Sequence, residues 1–192
     1  MGLDEEFARP EFNLFDTDRK FIFTSGYVSA PNAEAIEEVW IAAKKLNIPV
    51  IHLGPKNVAG MHAYSDEIGS NYPSFHNEIS DRHLCYLYRS SIYVSGLRHI
   101  EGFELPALEG LSCGARPILF DLPCYRKWFT NRGIYVKESH GEELINQLVE
   151  IFSRKPLEVA QSCRDEVIRK FSWKAICEGF WTSFVNGIGG GR

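Results

Sequence analysis

The chain has 192 residues, a formal net charge of −4, 44% hydrophobic residues and 24% charged residues. This length suffices for one domain with a core and is too short for two large domains. The negative charge, without a basic stripe interleaved with aromatic residues, argues against a nucleic-acid binder.

The five cysteines show none of the paired spacing that metal sites or small disulfide frameworks use. Most lie within apolar patterns, which predicts buried free thiols in a reducing compartment and hence a cytoplasmic protein. We find no signal peptide, and no apolar run approaches the roughly 18 residues of a membrane span. We expect a leader over residues 1–19, one domain over residues 20–184 and a flexible tail over residues 185–192.

Short apolar strands alternate with helices along the chain. Strands are predicted at residues 20–24, 49–54, 92–94, 117–120 and 133–136. Helices are predicted from residue 32, at residues 80–90 and 106–113, and near residues 141–153, 156–170 and 173–184. This alternation is typical of the α/β class with a doubly wound parallel sheet, here with extra C-terminal helices.

The last predicted helix carries an apolar stripe, which we expect to belong to the core. Its members recur at helical spacing and are Trp173, Ile176, Cys177, Phe180, Trp181 and Phe184.

A doubly wound sheet binds its ligand beyond the carboxyl ends of its strands. This rule points to Ser25 and Gly26 after the first strand, and then to Gly54, residues 95–104 and Asp121. We therefore expect the ligand-binding residues to come from these places.

The loop before the helix at residues 106–113 has the features of an anion site. Pro106 suits the first turn of that helix and Gly114 suits its end. Gly102, Phe103 and Glu104 then lie in the loop that leads into the helix N-terminus, where exposed N–H groups bind phosphates. Gly102 would let the backbone approach a ligand closely.

Two carboxylates bracket this loop. Glu109 lies one turn inside the helix, where a carboxylate can accept hydrogen bonds from two ribose hydroxyls, as acidic residues do in dinucleotide-binding folds. Glu101 lies on the other side of the loop, near the place of a sugar attached to the phosphates. Two isolated glutamates are more often surface residues, but the neighbouring motifs favour binding here.

These motifs follow one another in a fixed order. Leu105-Pro106 follows Glu101-Gly-Phe103, and seven residues separate the two glutamates. The flanking motifs are Ile79-Ser-Asp-Arg-His-Leu84, Leu87-Tyr-Arg-Ser-Ser91, Cys113-Gly114, Gly114-Ala-Arg-Pro117, Asp121-Leu-Pro123, Phe171-Ser-Trp173 and Ala175. Over roughly residues 20–184 this combination resembles family 4 of the retaining glycosyltransferases.

The resemblance implies the donor-binding half of a two-domain GT-B fold. The reaction it implies is sugar transfer from a UDP- or GDP-sugar with retention, without an obligatory cofactor or metal. It also implies that Glu101 contacts the donor sugar as the catalytic residue and that Glu109 holds the ribose. The backbone at Phe103, Glu104 and Leu105 would meet the phosphates and the sugar, and residues 75–76 would flank the base.

The chain departs from that family at two places. Glu104 stands where the family has glycine, and its charge would repel a diphosphate unless it serves the helix N-terminus. The loop Gly26-Tyr-Val-Ser-Ala-Pro-Asn32 lacks the arginine and lysine of the family. Arg98, His99 or Lys56 can replace these cations or lie on the surface, and we include Arg98 among the predicted donor-binding residues.

Three other interpretations compete. Asp16-Thr-Asp18 matches the metal motif of the other main glycosyltransferase architecture, but it precedes the first strand and is better explained as a solvated turn. A dinucleotide enzyme is disfavoured because no Gly-x-Gly-x-x-Gly follows a predicted strand. The main alternative is a non-catalytic nucleotide-sugar-binding or interaction module.

The length leaves room only for the donor half of a GT-B enzyme. We therefore expect the acceptor to be bound by another domain, by a partner chain or within a homo-oligomer. We expect no metal site, because the six histidines lack metal-binding spacing.

Overall fold

The computed structural model describes residues 21–26, 35–54, 74–75, 79–99 and 103–189. In these ranges the strands are β1 (Phe21–Ser25), β2 (Val50–Leu53), β3 (Ser74–Phe75), β4 (Ser91–Gly96), β5 (Arg116–Phe120) and β6 (Ile134–Val136). The helices are α1 (Ile36–Lys45), α2 (Asp81–Ser90), α3 (Leu105–Ser112), α4 (Pro123–Phe129), α5 (Gly141–Phe152), α6 (Gln161–Phe171) and α7 (Trp173–Gly189).

The described strands form one parallel sheet in the order β3-β2-β1-β4-β5-β6. The chain builds outward from β1 to β3, returns to place β4 on the other side of β1, and continues outward to β6. The strand order therefore reverses between β1 and β4, and this reversal creates the crevice in which doubly wound sheets bind ligands. The predicted Rossmann-like α/β class is confirmed.

The central strands are continuous apolar runs because helices cover both faces of the sheet. Ile22 and Phe23 in β1, Val94 in β4, and Leu119 and Phe120 in β5 all have an exposed fraction of 0%. Helix α3 packs against β4, β5 and α6. The position of its N-terminus is therefore fixed by the sheet.

The ends of the helices follow the predicted signals. The backbone N–H of His83 donates to the Ser80 hydroxyl at 3.4 Å, which caps α2. Pro106 lies in the first turn of α3. Gly114 follows this helix with a φ of 90°, the left-handed conformation that ends helices at glycine.

Two helices differ from the sequence-based prediction. Helix α4 escapes prediction because its seven residues are too few to show a helical period. Helix α6 begins at Gln161 rather than near residue 156. The physical reason is Arg116, which donates hydrogen bonds to the carbonyl oxygens of Leu157 and Glu158 and holds this segment against the start of β5.

The aromatic stripe of α7 is exposed, so the expectation that it belongs to the core is wrong. The exposed fractions are 72% for Phe180, 64% for Trp181 and 50% for Phe184. The pattern reveals an apolar face but does not specify which element covers it. Helix α7 also continues through Gly189, beyond the predicted end of the domain at residue 184.

All five cysteines are free. Cys85 and Cys113 are buried, as predicted, whereas Cys177 is exposed. None of the helices in the described ranges is long and apolar enough to cross a membrane.

Candidate functional site

The crevice between β1 and β4 is bridged by an arginine. The Arg98 side chain follows β4 and donates a hydrogen bond from Nη2 to the carbonyl oxygen of Ser25 at 3.0 Å. The Tyr125 hydroxyl in turn donates to the Arg98 carbonyl oxygen at 3.0 Å and fixes the backbone there. Arg98 thus places a positive charge at the point where the strand order reverses, with its side chain 18% exposed.

The end of β1 offers backbone and a hydroxyl to the same crevice. Gly26 has a φ of 121°, a conformation that L-residues rarely adopt. The Ser25 hydroxyl is buried and has no hydrogen-bond partner within the described ranges. Ser25 and Gly26 therefore lie where the sequence places them, at the carboxyl end of β1.

Glu104 pairs with Arg98 instead of capping α3. It occupies the N-cap position, but its side chain makes no capping hydrogen bond. Its carboxylate is 0% exposed, and Oε2 lies 3.4 Å from Nε of Arg98. The suggestion that Glu104 serves the helix N-terminus is therefore wrong, because the arginine offsets its charge.

Gly96 makes room for this buried carboxylate. A Cβ atom at position 96 would lie 2.7 Å from Cγ of Glu104 and 2.8 Å from Cδ2 of Leu119. Any larger residue would therefore displace the Glu104 side chain or the β5 side chain beneath it.

The start of α3 faces the crevice with its backbone. The Phe103 ring packs against Trp128 at 5.2 Å and Phe171 at 6.0 Å between ring centroids, so the side chain is anchored in the apolar body. Leu105 begins the helix, and its N–H belongs to the first turn, where helical N–H groups lack intrahelical partners. Phe103 and Leu105 thus sit as predicted, beside the helix N-terminus.

Glu109 is oriented by a tyrosine that the sequence analysis did not single out. The buried Tyr88 hydroxyl donates to Oε2 of Glu109 at 2.9 Å. Burial and then the negative charge of Glu109 raise the pKa of Tyr88 well above its ordinary value, so the hydroxyl keeps its proton. A carboxylate has about four acceptor sites, so this bond leaves capacity for ribose hydroxyls.

His99 points away from the β1–β4 crevice. Its Nδ1 lies 2.7 Å from Oε1 of Glu138, and its ring packs against Phe120 at 4.3 Å and His140 at 4.2 Å between centroids. These contacts belong to the ends of β5 and β6. Of the three cations proposed to replace the missing basic pair, Arg98 lies in the crevice and His99 does not.

Several sequence-based assignments fall outside the described residues. They concern Glu101, Gly102, Lys56, His76 and Asp16-Thr-Asp18. In the described part of the chain no cluster of three or more histidine, cysteine, aspartate or glutamate residues could hold a metal ion. The described crevice thus contains Ser25, Gly26, Arg98, Glu104 and the start of α3.

No protein-family model and no curated protein matches the sequence. Several solved structures share its fold. AviGT4, a glycosyltransferase involved in avilamycin A biosynthesis, has a TM-score of 0.70 and 15% identity over 98% of this chain and 57% of its own. Sucrose-phosphate synthase from Thermosynechococcus elongatus has a TM-score of 0.70 and 18% identity over 98% of this chain and 51% of its own.

A third similar structure is Anabaena HepE in complex with UDP-glucose. Its TM-score is 0.65 and its identity 12%, over 87% of this chain and 49% of its own. The chain therefore has the Rossmann-like fold of a GT-B glycosyltransferase domain. It spans about half the length of these proteins.

Proposed function

We propose that the chain binds the donor of a retaining glycosyltransferase, a nucleoside diphosphate sugar, and that a further domain or partner chain binds the acceptor. The observation that carries this proposal is the position of Arg98 beside the N-terminus of α3, at the reversal of the strand order. A guanidinium and a helix N-terminus together favour a diphosphate. The fold supports the same ligand class.

Each side chain of the crevice has a task in this proposal. Arg98 and the first N–H groups of α3 meet the diphosphate, with the backbone and hydroxyl at Ser25 and Gly26 on the β1 side. Glu109, oriented by Tyr88, accepts hydrogen bonds from the ribose. Glu101 contacts the sugar, as the family resemblance implies.

The reaction follows from these positions. The bond between the sugar C1 and the diphosphate oxygen breaks, and the acceptor oxygen bonds C1 on the same face. The acceptor proton passes to the departing phosphate. Arg98 offsets the charge that builds on the diphosphate, and one such preorganised donor contributes about 3 to 4 kcal/mol.

We infer that this chemistry needs no obligatory metal, because Arg98 and the helix N-terminus supply the positive field. We also infer a cytoplasmic location, which the five free cysteines support. UDP-glucose is the first donor to test because HepE was crystallised with it. GDP- and ADP-sugars are the alternatives.

Calorimetric titration of the chain with UDP-, GDP- and ADP-glucose tests the proposal. We expect one donor to bind, and Glu109→Ala to weaken its binding about ten- to hundredfold, because a hydrogen bond to a charged group contributes about 1.5 to 3 kcal/mol. Glu150→Ala, which removes an exposed carboxylate on α5, is the control and should bind like the wild type. Absence of binding to all three donors would contradict the proposal.

The second candidate is a non-catalytic nucleotide-sugar-binding or interaction module. Two observations favour it: the chain spans about half the length of the similar structures, and the sequence from Gly26 to Asn32 contains no arginine or lysine. Donor binding without sugar transfer or donor hydrolysis, even with an added acceptor-binding domain, would support this candidate over the first.

A further inference from the structure

Helix α7 projects from the domain with its side chains uncovered. Residues 178–186 are all exposed, on every side of the helix. Its main packing within the described ranges is against α6, near its beginning. A helix of 17 residues gains little stability in water from its own hydrogen bonds, so burial of its apolar face is needed to hold it.

The uncovered face is aromatic and almost uncharged. Phe180 stacks on Phe184 with ring centroids 6.4 Å apart, and Trp181 lies 6.0 Å from Phe184. These rings point the same way because residues three and four apart share a helix face. The only charged residues of α7 are Lys174 and Glu178, which lie 4.0 Å apart and pair within the helix.

We propose that this face is a self-association surface, on which α7 of a second copy of the chain packs. Identical surfaces can pair about a two-fold axis only if the patch is complementary to itself. An apolar stripe whose two charges already neutralise each other meets that condition, because pairing opposes no like charges. A lipid surface suits it less, since interfacial helices carry several cations on their polar face.

The exposed area is sufficient for such a pair. Phe180, Trp181, Phe184 and Trp173 are 72%, 64%, 50% and 49% exposed, and Val185 is 47% exposed. At about 200 Å² for each aromatic side chain, these residues expose roughly 500 to 600 Å² per copy. Two copies would bury about 1,100 Å², close to the lower limit of about 1,200 Å² for stable interfaces before the smaller side chains are added.

Sedimentation velocity of the full chain over about a hundredfold concentration range tests this inference. We expect the mass to rise from the monomer value of 21.9 kDa to twice that value. Phe180→Ser with Phe184→Ser should remain monomeric and folded, because both side chains are half or more exposed. Leu157→Ser, which removes a 70% exposed side chain elsewhere, should dimerise like the wild type.

Tryptophan fluorescence gives a second measurement on the same samples. Trp173 and Trp181 remain in the double serine variant, and their emission should shift to shorter wavelength with concentration only in the chains that dimerise. A wild type that stays monomeric throughout, because its own N-terminal residues or a separate domain cover α7, would overturn the inference. So would a double variant that dimerises like the wild type. Neither result depends on donor binding, which the calorimetric titration measures separately.

Discussion

Glu104 shows how one side chain changes meaning between the sequence and the fold. In the sequence it replaces a glycine and adds a repulsive charge beside a phosphate site. In the fold it is 0% exposed and lies 3.4 Å from the guanidinium of Arg98. A buried carboxylate persists when it is paired, so Glu104 and Arg98 form one unit.

Removal of Arg98 should therefore destabilise the domain as well as weaken donor binding. We expect Arg98→Met to lower the free energy of unfolding by about 3 kcal/mol, because it leaves the Glu104 carboxylate buried without its cation. Urea denaturation measures the change. In Arg98→Met with Glu104→Leu, where both charges are replaced by apolar side chains, most of the stability should return.

The double variant also separates the two tasks of Arg98. Stability should recover in it, whereas donor binding should remain as weak as in Arg98→Met alone. Losses of stability that simply add in the double variant would contradict the pairing.

At the scale of elements, the site depends on how closely α3 approaches β4. Gly110 is the contact point: a Cβ atom there would lie 2.5 Å from Cγ2 of Val94 and 3.0 Å from its Cβ. The missing side chain brings the helix against the strand, and the N-terminus of α3 is thereby set at the end of β4.

Gly110→Ala should push α3 away from β4. We expect a loss of about 1 to 3 kcal/mol in the free energy of unfolding, the usual effect of overpacking, measured by urea denaturation. Gly179→Ala is the matched control, because no atom lies within 4 Å of its added Cβ. Alanine is the better helix former, so this control should be neutral or stabilising.

A test of the mechanism is available in β4 itself. Adding Val94→Ala removes the methyl groups that the new Cβ meets, so the double variant should lose less than the sum of the two single losses. Full additivity would show that the contact does not set the position of α3.

At the scale of the whole molecule, arginines fasten the C-terminal helices to the sheet. Nε of Arg164 in α6 donates to the Ser112 carbonyl oxygen at 2.9 Å, at the end of α3. Arg132, which precedes β6, pairs with Glu166 in α6. The hydrogen bond and then the charge of Arg132 hold the pKa of Glu166 below its ordinary value of 4.5.

This pair should make part of the stability depend on pH. Because the pKa of Glu166 is lowered by folding, the pair stabilises the domain above about pH 4.5 and less as the pH falls through the lower folded value. We expect the wild type to melt at a higher temperature than Glu166→Gln at pH 7, and the difference to shrink in acid. Glu150→Gln, in an exposed pair on α5, should show little difference at either pH.

The sequence determined most of the architecture. Short apolar runs bounded by signals such as Ser80, Pro106 and Gly114 depend on neighbours within a few residues, so the strand and helix order could be predicted. The carboxyl-end rule also placed Ser25 and Arg98 at the ligand edge. The roles of Glu101, Glu109 and the backbone at Phe103 remain predictions.

Only the tertiary structure decided the partners of these residues. Arg98 with Glu104, and Tyr88 with Glu109, join side chains from different elements whose distances no local pattern encodes. The exposed stripe of α7 has the same physical cause, since periodicity shows which face of a helix is apolar and packing decides what covers it. The sequence by itself thus specified the elements and the edge at which a ligand binds, and the packing of those elements decided which charges meet there.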